Sequence, residues 1–431
     1  MSNLVSFAGI FILILIAWGL SADRRAVRWK VVVSGVLMQL LIGFLVFMFP
    51  PGRSVIIHLN NIVVKVLESA SAGSEFLFGR LALSPGSTNA AGETSLGFIL
   101  AFQALPTIVF FSSLMALLYY FGVLPKLIKL FAKLFSKLMS ISGAESLCVA
   151  SNIFVGVESA TAIRPYLMRM TKSELCTVLT AGMSTIASSV MAFYVFILKG
   201  QFPSIAGHLI SASVLSAPAA VVMSKLLVPE TASPATLGVE IEPYQEKDPS
   251  ATDSIIRGAN EGLKLVFGIA AMLIAFLGLM SLADMILAWV SALIGLETGI
   301  SLSGILKYIF YPFALIVGVP SDDAMEVSRL VGQRLIVTEV KSYQDLAILM
   351  SSGGLHHARS VFIAAYALCG FAHIASLAIF VGGFSALVPE RTADISSQGL
   401  RGLLAANLAC LMTAAIAGLF YSGGDLLLTG G

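Results

Sequence analysis

Long uncharged runs separated by short polar stretches dominate the chain and predict a bundle of membrane helices. A helix of about 20 apolar residues crosses the bilayer core. Runs near that length occupy residues 3–20, 31–49, 98–121, 175–198, 204–224, 262–292, 360–387 and 402–422. The mixed stretch 51–94 is predicted to lie at the membrane interface, and the Pro-rich stretch 229–254 to form a loop. The pattern therefore predicts an all-α polytopic membrane protein with eight transmembrane helices.

Two shorter apolar segments, near 140–170 and 302–340, are interrupted by glycine and followed by acidic residues. Glu158 closely follows Gly156 in the first segment, and Asp322 and Asp323 closely follow Gly318 in the second. A half-length apolar run with acids at its break is typical of a re-entrant helical hairpin. Secondary transporters bind their substrates where such broken elements meet near the bilayer midplane. The two segments therefore predict a transporter.

The two halves of the chain repeat short motifs in the same order. Residues 154–159 parallel residues 316–321, and the tetrad 185–188 parallels the tetrad 373–376. This order predicts an inverted repeat, with the two hairpins entering from opposite sides. The predicted divisions are N-terminal scaffold spans with an interfacial segment at 1–97, a first repeat with a cytoplasmic-side hairpin at 98–228, a polar linker at 229–260, and a second repeat with an exterior-side hairpin at 261–431.

Clusters of lysine and arginine predict the orientation in the membrane, because cytoplasmic loops carry an excess of them. Lys126, Lys129, Lys133 and Lys137 follow a helical spacing on an otherwise apolar segment. This spacing predicts an amphipathic helix on the cytoplasmic surface. The clusters together place both termini outside.

Composition excludes several classes of protein. Hydrophobic residues make up 57% of the chain and charged residues 12%, against about 25% charged in soluble domains. No basic tract with interleaved aromatic residues indicates a nucleic-acid partner, and the four cysteines form no CxxC pair. No nucleotide-binding loop, HExxH pair or nucleophile elbow indicates an enzyme or an ATP-driven pump. We therefore expect a non-enzymatic membrane protein.

The acids at the two breaks are candidate functional residues. An ionised side chain at mid-membrane costs about 3 kcal/mol on insertion scales, so Glu158, Asp322 and Asp323 need a cavity, a partner or a ligand. The structural alternative is that they pair with Arg164 or Arg329 and hold the hairpins in place.

His373 lies midway along an uncharged run, between Phe371 and Ser376. This position fits either a ligand-binding residue or a buried donor between helices. Four further residues supply oxygen ligands of the kind that hard cations prefer: Asn152, Val155, Thr185 and Ile186. They are a candidate Na⁺ site, although such residues also form ordinary bonds between helices.

Several motifs resemble the concentrative nucleoside transporter family over nearly the whole chain. They are FQALPTIVFFSSLMALLYYFGVLP, SNIFVG, RPYLMRMTKSEL, TAGMSTIASSV, IFYPFALIVGVPSDDA, ALCGFAHIASLAIFVGGFSALVPE and TAAIAGLFY. The resemblance implies eight spans, two re-entrant hairpins of opposite orientation and a homotrimer. It also implies nucleoside uptake driven by a Na⁺ or H⁺ gradient, and for a bacterial member a multi-pass protein of the inner membrane.

The resemblance also implies roles for individual residues. Glu158 and Asp323 match the acids of the two hairpins, the second of which is usually glutamate. Val190 matches a wall of the base pocket, and Phe371 and Ser376 match binding residues. His373 stands where the family usually has an asparagine that contacts ribose. The candidate Na⁺ site of Asn152, Val155, Thr185 and Ile186 matches the family's sodium site.

The chain departs from the family at the first hairpin tip. The family commonly has Gly-Gln-(Thr/Ser)-Glu, whereas this chain has Gly156-Val157-Glu158 and is one residue shorter. Loss of the side-chain amide and hydroxyl weakens discrimination among bases or admits a different ligand. The prediction is therefore a cation-coupled importer of nucleosides, with Na⁺ favoured. The alternatives are H⁺ coupling and another small polar solute, and an intramembrane enzyme or a receptor is a remoter class.

Overall fold

The structure, a computed structural model, describes residues 2–89, 92–244, 248–293 and 300–423. These residues are helical and contain no β-strand. Eight of the described helices are long and apolar enough to cross a membrane. The predicted polytopic α-helical class is thus confirmed, and two of the predicted spans are interrupted by unwound residues.

The N-terminal part of the chain forms five helices. They are α1 Ser2–Gly19, α2 Trp29–Gly43, which continues as a π-helix to Met48, α3 Pro50–Phe78, α4 Leu100–Gln103 and α5 Pro106–Tyr120. Helix α3 lies in the segment 51–94 that is predicted to be interfacial, and the helix from Pro50 to Leu81 is by length and composition also apolar enough to cross a membrane.

Seven further helices lie in the stretch 98–228 that is predicted to be the first repeat, and the first of them is the amphipathic helix that the lysine spacing predicts. They are α6 Val123–Met139, α7 Gly143–Ser151, α8 Ser159–Ala162, α9 Arg164–Leu167, α10 Lys172–Ser184, α11 Ser188–Leu198 and α12 Ile205–Leu227. The predicted span 175–198 is therefore broken, with residues 185–187 unwound between α10 and α11.

The second repeat follows the long helix α13 Ala251–Leu293. Its helices are α14 Leu302–Ile316, α15 Ser321–Ile336, α16 Glu339–Ser352, α17 Ala358–Ala367, α18 Ile374–Leu387 and α19 Thr392–Phe420. The predicted span 360–387 is also broken, with residues 368–373 between α17 and α18. The helix α13 begins at Ala251, within the stretch 229–260 that is predicted to be the linker.

The second hairpin differs from the prediction. Its arms are α15 and α16, with the tip at Val337 and Thr338, because α14 occupies the place in the second repeat that α6 occupies in the first. The predicted tip at Gly318 is instead the turn between α14 and α15. There the hydroxyl of Ser6 donates to the carbonyl of Val317 at 2.8 Å, and Arg359 Nε donates to the carbonyl of Gly318 at 2.8 Å.

The two motif parallels therefore have different outcomes. Residues 154–159 lie at the tip of the first hairpin, whereas residues 316–321 lie at the turn before the second, so that parallel was wrong. The tetrads 185–188 and 373–376 both lie where a helix breaks. Thr185 is the C-cap residue of α10, and His373 is the N-cap residue of α18.

Contacts with α19 show that the broken helices of the two repeats run in opposite directions. Along α10, Thr180 contacts Gly402 and the later Ser184 contacts the later Cys410, so α10 is parallel to α19. Along α17 the order reverses: Ile363 lies near Gly418, and Cys369, just past the helix end, near Cys410. The helices α10 and α17 are therefore antiparallel, as an inverted repeat requires.

The linker is hydrogen-bonded to both ends of the first hairpin. The backbone N–H of Gly143, at the start of α7, donates to the carbonyl of Thr236 at 2.9 Å. The N–H of Tyr244 donates to the carbonyl of Ala162, at the end of α8, at 2.9 Å. Each contact supplies a partner for backbone groups that a helix end leaves unsatisfied. The first hairpin and the linker up to Tyr244 consequently form one packed unit.

The described ends of the chain lie together. The side-chain amide of Asn3 donates to the carbonyl of Tyr421 at 2.9 Å, so the two ends share one face of the bundle. The residues beyond them, 1 and 424–431, lie outside the described part of the chain. The four cysteines are buried and unpaired.

Candidate functional site

The tips of both hairpins and both broken helices meet around a cavity of about 260 Å³, which we call the central cavity. Six of the predicted substrate residues line it, namely Val157, Glu158, Val190, Phe371, His373 and Ser376. The second hairpin contributes Thr338, Glu339 and Val340, and α13 contributes Lys264, Leu265, Gly268, Ile269 and Met272. Ligand sites of membrane transporters form at such junctions of discontinuous helices.

One end of the central cavity is polar because Glu339 lies there, 3% exposed. The hydroxyl of Tyr194 donates to its Oε1 atom. The Oε2 atom is buried and has no aligned hydrogen-bond donor among the described residues. Its nearest polar neighbour is His373 Nε2, at 2.9 Å. A carboxylate oxygen can accept more than one hydrogen bond, so this oxygen is suited to accept one from a ligand hydroxyl.

His373 is both a helix cap and a neighbour of this carboxylate. The N–H of Ser376 donates to His373 Nδ1 at 3.2 Å, which caps α18. Because Nδ1 accepts this bond, we assign the ring hydrogen to Nε2. The Nε2 atom lies 2.7 Å from the hydroxyl oxygen of Ser376 and 2.9 Å from Oε2 of Glu339. The three side chains therefore form one polar cluster at the cavity wall.

The rest of the central cavity is apolar. Val190, Phe371 and Ile379 lie among its lining residues, together with Phe380 and the α13 residues. At the first hairpin tip, Val157 packs against α18, where a Cβ atom added to Gly383 would lie 2.6 Å from Val157 Cγ2. An apolar cavity with a few convergent polar groups is the usual form of a small-molecule site.

Glu158 borders a second cavity as well as the central one. This vestibule, of about 420 Å³, is lined also by Tyr119, Tyr244, Asp248 and Arg257. Both cavities share Gly156, Glu158 and Ala187. The Oε2 atom of Glu158 accepts the N–H of Gly156 at 2.9 Å. The side chain therefore lies where the two spaces adjoin.

The vestibule is bordered by the linker, on the same side as the lysines of α6. Arg257 donates from Nε and Nη2 to the two carboxylate oxygens of Asp248, both at 2.9 Å. These bonds lower the pKa of the Asp248 carboxyl. Lys129, on α6, forms an ion pair with Glu242 of the linker. The vestibule is thus lined in part by the linker, on the face that the charge pattern predicts to be cytoplasmic.

The four candidate cation ligands lie where the first hairpin tip meets the break between α10 and α11. The N–H of Ser188 donates to the carbonyl of Phe154 at 3.0 Å, which joins the two segments. Asn152, Thr185 and Ile186 are buried, and Val155 is half-buried and lines the vestibule. The set of an amide, a hydroxyl and backbone carbonyls has the oxygen chemistry that suits Na⁺.

Asp323 lies away from the central cavity. Its carboxylate accepts the backbone N–H groups of His356 and His357, each at 2.9 Å, and contacts His356 Nδ1 at 2.9 Å. It thereby joins the start of α15 to the start of α17. Neither predicted arginine partner pairs with it in the described structure. The structure brings Glu339, not Asp323, to the other six predicted residues.

Sequence reasoning missed Glu339, Tyr194 and Lys264. The signal for Glu339 was present, since a lone carboxylate stands between Val337 and Val340 where an apolar segment ends. Asp322 and Asp323 lie beside a glycine and a proline, and this stronger signal led to the prediction of Asp323 as the binding residue. The lining residues of α13 had no signal, because any face of a long apolar helix looks alike.

Three family models match the chain. Their descriptions are "Na+ dependent nucleoside transporter N-terminus" over residues 8–81, "Nucleoside recognition" over 101–201 and "Na+ dependent nucleoside transporter C-terminus" over 208–418. Together with the two broken helices and the cavity between them, these matches define a polytopic membrane transporter. The chain belongs to the concentrative nucleoside transporter family.

Curated relatives agree with this assignment. The chain is 36% identical to human solute carrier family 28 member 3, over 97% of its own length and 60% of that protein. It thus spans about three fifths of that relative. It is 34% identical to the putative nucleoside permease NupX of Escherichia coli, over 96% of the chain and 98% of NupX. It is also 34% identical to the transporter YutK of Bacillus subtilis, over 97% and 100%.

Solved structures of CNTnw share the fold. An inward-facing, substrate-bound structure matches with a TM-score of 0.87 at 35% identity, covering 97% of this chain and 98% of CNTnw. A substituted form of CNTnw in an outward-facing state matches with the same TM-score and coverage.

Proposed function

We propose that this protein is a secondary active symporter that imports nucleosides, driven by a cation gradient, with Na⁺ as the coupling ion. The observation that carries the proposal is the carboxylate of Glu339, which is buried in the wall of the central cavity beside His373 and Ser376. A ribose hydroxyl donates to its Oε2 atom. The name of the E. coli relative supports the substrate class, and the descriptions of the Na⁺ dependent family models support both the substrate class and the ion.

In this proposal the substrate lies with its sugar at the polar end of the cavity. Glu339, His373 and Ser376 bind the hydroxyls, and Thr338 borders them at the second hairpin tip. Glu158 and Phe371 face the base, with Val157 and Val190 as apolar walls. The role that the resemblance gave to Asp323 passes to Glu339, because Glu339 is the carboxylate beside His373.

Na⁺ binds at Asn152, Val155, Thr185 and Ile186, and its binding favours the conformation that accepts substrate. The hairpin-bearing helices slide past a scaffold that contains α5 and α13, so that the central cavity opens to each side in turn. We further propose a homotrimer in the bacterial inner membrane, with re-entrant hairpins and both termini outside.

Labelled uridine and adenosine uptake into proteoliposomes tests the proposal. We expect uptake of at least one nucleoside under an inward Na⁺ gradient and none without a gradient. Absence of uptake under both Na⁺ and H⁺ gradients, with folded protein, would overturn the nucleoside assignment and favour another small polar solute. This alternative is suggested by Val157, which gives the first hairpin tip an apolar side chain in place of the amide and hydroxyl that the family usually has there.

A second candidate is H⁺ coupling through the contact between His373 and Glu339. Histidine and carboxylate pairs inside membranes commonly carry protons, and the 2.9 Å separation allows transfer between them. Uptake under an H⁺ gradient alone would select this candidate.

A further inference from the structure

A lysine of the long helix α13 faces the central cavity. Lys264 is exposed and lines the central cavity but not the vestibule. It forms no hydrogen bond or ion pair with any residue in the described part of the chain. Glu261, one turn before it, is instead paired with Arg257 at 2.9 Å. A cation inside a membrane protein needs water, a partner or a ligand, so this ammonium group is free to bind a ligand in the cavity.

The order of residues along α13 places Lys264 at the vestibule end of the central cavity. Glu261 lines the vestibule, and Lys264, three residues later on the same helix face, lines the central cavity. The two cavities adjoin at Glu158, whose Oε2 atom accepts the N–H of Gly156 at 2.9 Å. An ionised carboxylate can accept further hydrogen bonds. A donor and an acceptor therefore border the part of the cavity that the proposed function gives to the base.

These two groups have opposite hydrogen-bonding roles. The ammonium group of Lys264 only donates, whereas the ionised carboxylate of Glu158 only accepts. Together they complement a base edge on which a carbonyl oxygen lies beside an N–H. Uracil has such an edge at O4 and N3–H, and hypoxanthine and guanine have it at O6 and N1–H. Cytosine and adenine present an amino group beside an unprotonated ring nitrogen, so the same edge offers a donor and an acceptor in the opposite places.

We propose that Lys264 determines the base specificity of the protein. It donates a hydrogen bond to the carbonyl oxygen of the base while Glu158 accepts the adjacent N–H, so that uridine, inosine and guanosine bind in preference to cytidine and adenosine. This inference rests on the proposed function. It also explains how the site tolerates Val157 at the first hairpin tip. A side-chain amide supplies a donor and an acceptor in one group, and this chain divides the two between α13 and the tip.

Competition between nucleosides that differ only at this edge tests the inference on the wild type. Uptake of labelled uridine into proteoliposomes is measured with unlabelled uridine, cytidine, inosine or adenosine as the competitor. We expect uridine and inosine to inhibit at concentrations at least about tenfold lower than cytidine and adenosine, respectively. Equal inhibition within each pair overturns the inference and leaves the proposed function standing. Absence of uptake of any labelled nucleoside overturns the proposed function, and the inference with it.

Lys264→Met removes the donor and leaves an apolar chain of similar length. We expect the inhibitory concentrations of uridine and inosine to rise about tenfold, with those of cytidine and adenosine changed less than about twofold. Lys264→Gln, whose amide still donates, should keep part of the preference. Lys199→Met is the matched control, since Lys199 ends α11 over the ring of Phe196 at 5.3 Å and should not change the preference. A preference that survives Lys264→Met, or an equal loss for all four nucleosides, overturns the role of Lys264.

Discussion

The Nε2 atom of His373 lies 2.9 Å from Oε2 of Glu339, so an imidazole borders the one carboxylate oxygen that a ligand hydroxyl would use. A substrate must therefore share this oxygen with the protein or displace the ring from it. His373 is also fixed by capping α18, which limits how far it can move.

Replacing His373 with asparagine should strengthen the binding of ribose-containing substrates. Asparagine is also a good N-cap, so α18 keeps its cap while the imidazole beside Oε2 of Glu339 is removed. A hydrogen bond to a charged group contributes about 1.5–3 kcal/mol. The KM for uridine should fall by roughly tenfold or more. His373→Ala, which loses both cap and contact, should lower the melting temperature; an unchanged KM in the asparagine variant would contradict the competition.

Substitutions of Glu339 and Asp323 should have different effects, the first on transport and the second on stability. Glu339→Gln should reduce kcat/KM for nucleoside uptake by roughly ten- to hundredfold, because the charged acceptor at the polar end is lost. Its melting temperature should change little, since the side chain keeps its size. Uptake at the wild-type rate would remove Glu339 from the site.

Asp323→Asn should lower the stability of the protein and leave transport intact. It weakens the bonds to the N–H groups of His356 and His357, and we expect a loss of about 1–3 kcal/mol in stability with transport retained in the protein that remains folded. Thermal unfolding in detergent and uptake normalised to folded protein measure the two effects. Abolished uptake with unchanged unfolding would return Asp323 to the binding site.

Thr185→Val should weaken Na⁺ binding selectively. Valine keeps the shape of threonine but removes the hydroxyl oxygen, and we expect the apparent Na⁺ affinity to fall roughly tenfold or more. At saturating Na⁺ the KM for nucleoside should return close to the wild-type value. Thr180→Val is the matched control, because that buried hydroxyl donates to the carbonyl of Cys176 at 2.7 Å within the same helix. Equal effects of the two variants would argue against a cation at Thr185.

Gly383→Ala should push the first hairpin tip away from α18. The added methyl would lie 2.6 Å from Val157 Cγ2, and overpacking of this kind costs about 1–3 kcal/mol. We expect slower uptake, and recovery when Val157→Ala is added to make room. A double variant no better than Gly383→Ala would show that the tip is not held by this contact.

The architecture was largely predictable because bilayer spans leave long apolar runs, and the tetrads 185–188 and 373–376 marked the true breaks. The register of the second hairpin was not. Gly318 has φ of +91° and lies beside acids, which are the same signals that a hairpin tip gives. Only packing against Ser6 and Arg359 identifies it as a turn outside the cavity.

The site was predictable where local sequence creates the geometry. His373 and Ser376 lie three residues apart across a helix cap, and Glu158 lies at a tip. Glu339 depended on how α15 and α16 are paired, and Tyr194 on how α11 packs against that hairpin. Such long-range pairings leave no local sequence pattern. Because the second hairpin was placed too early in the chain, Asp323 was predicted as the binding carboxylate in place of Glu339.

The bond between Asp248 and Arg257 sets the stroke of the proposed transport motion. In the proposed motion, the linker up to Tyr244 would travel with the first hairpin, to which it is hydrogen-bonded, whereas α13, which begins at Ala251, would stay with the scaffold. Fully extended, the seven links between these residues reach about 25 Å, but the four links from Tyr244 to Asp248 reach only about 14 Å. If the first hairpin moves farther than this from Asp248, the ion pair between Asp248 and Arg257 must break. The pair would therefore limit the hairpin to a short displacement until it dissociates.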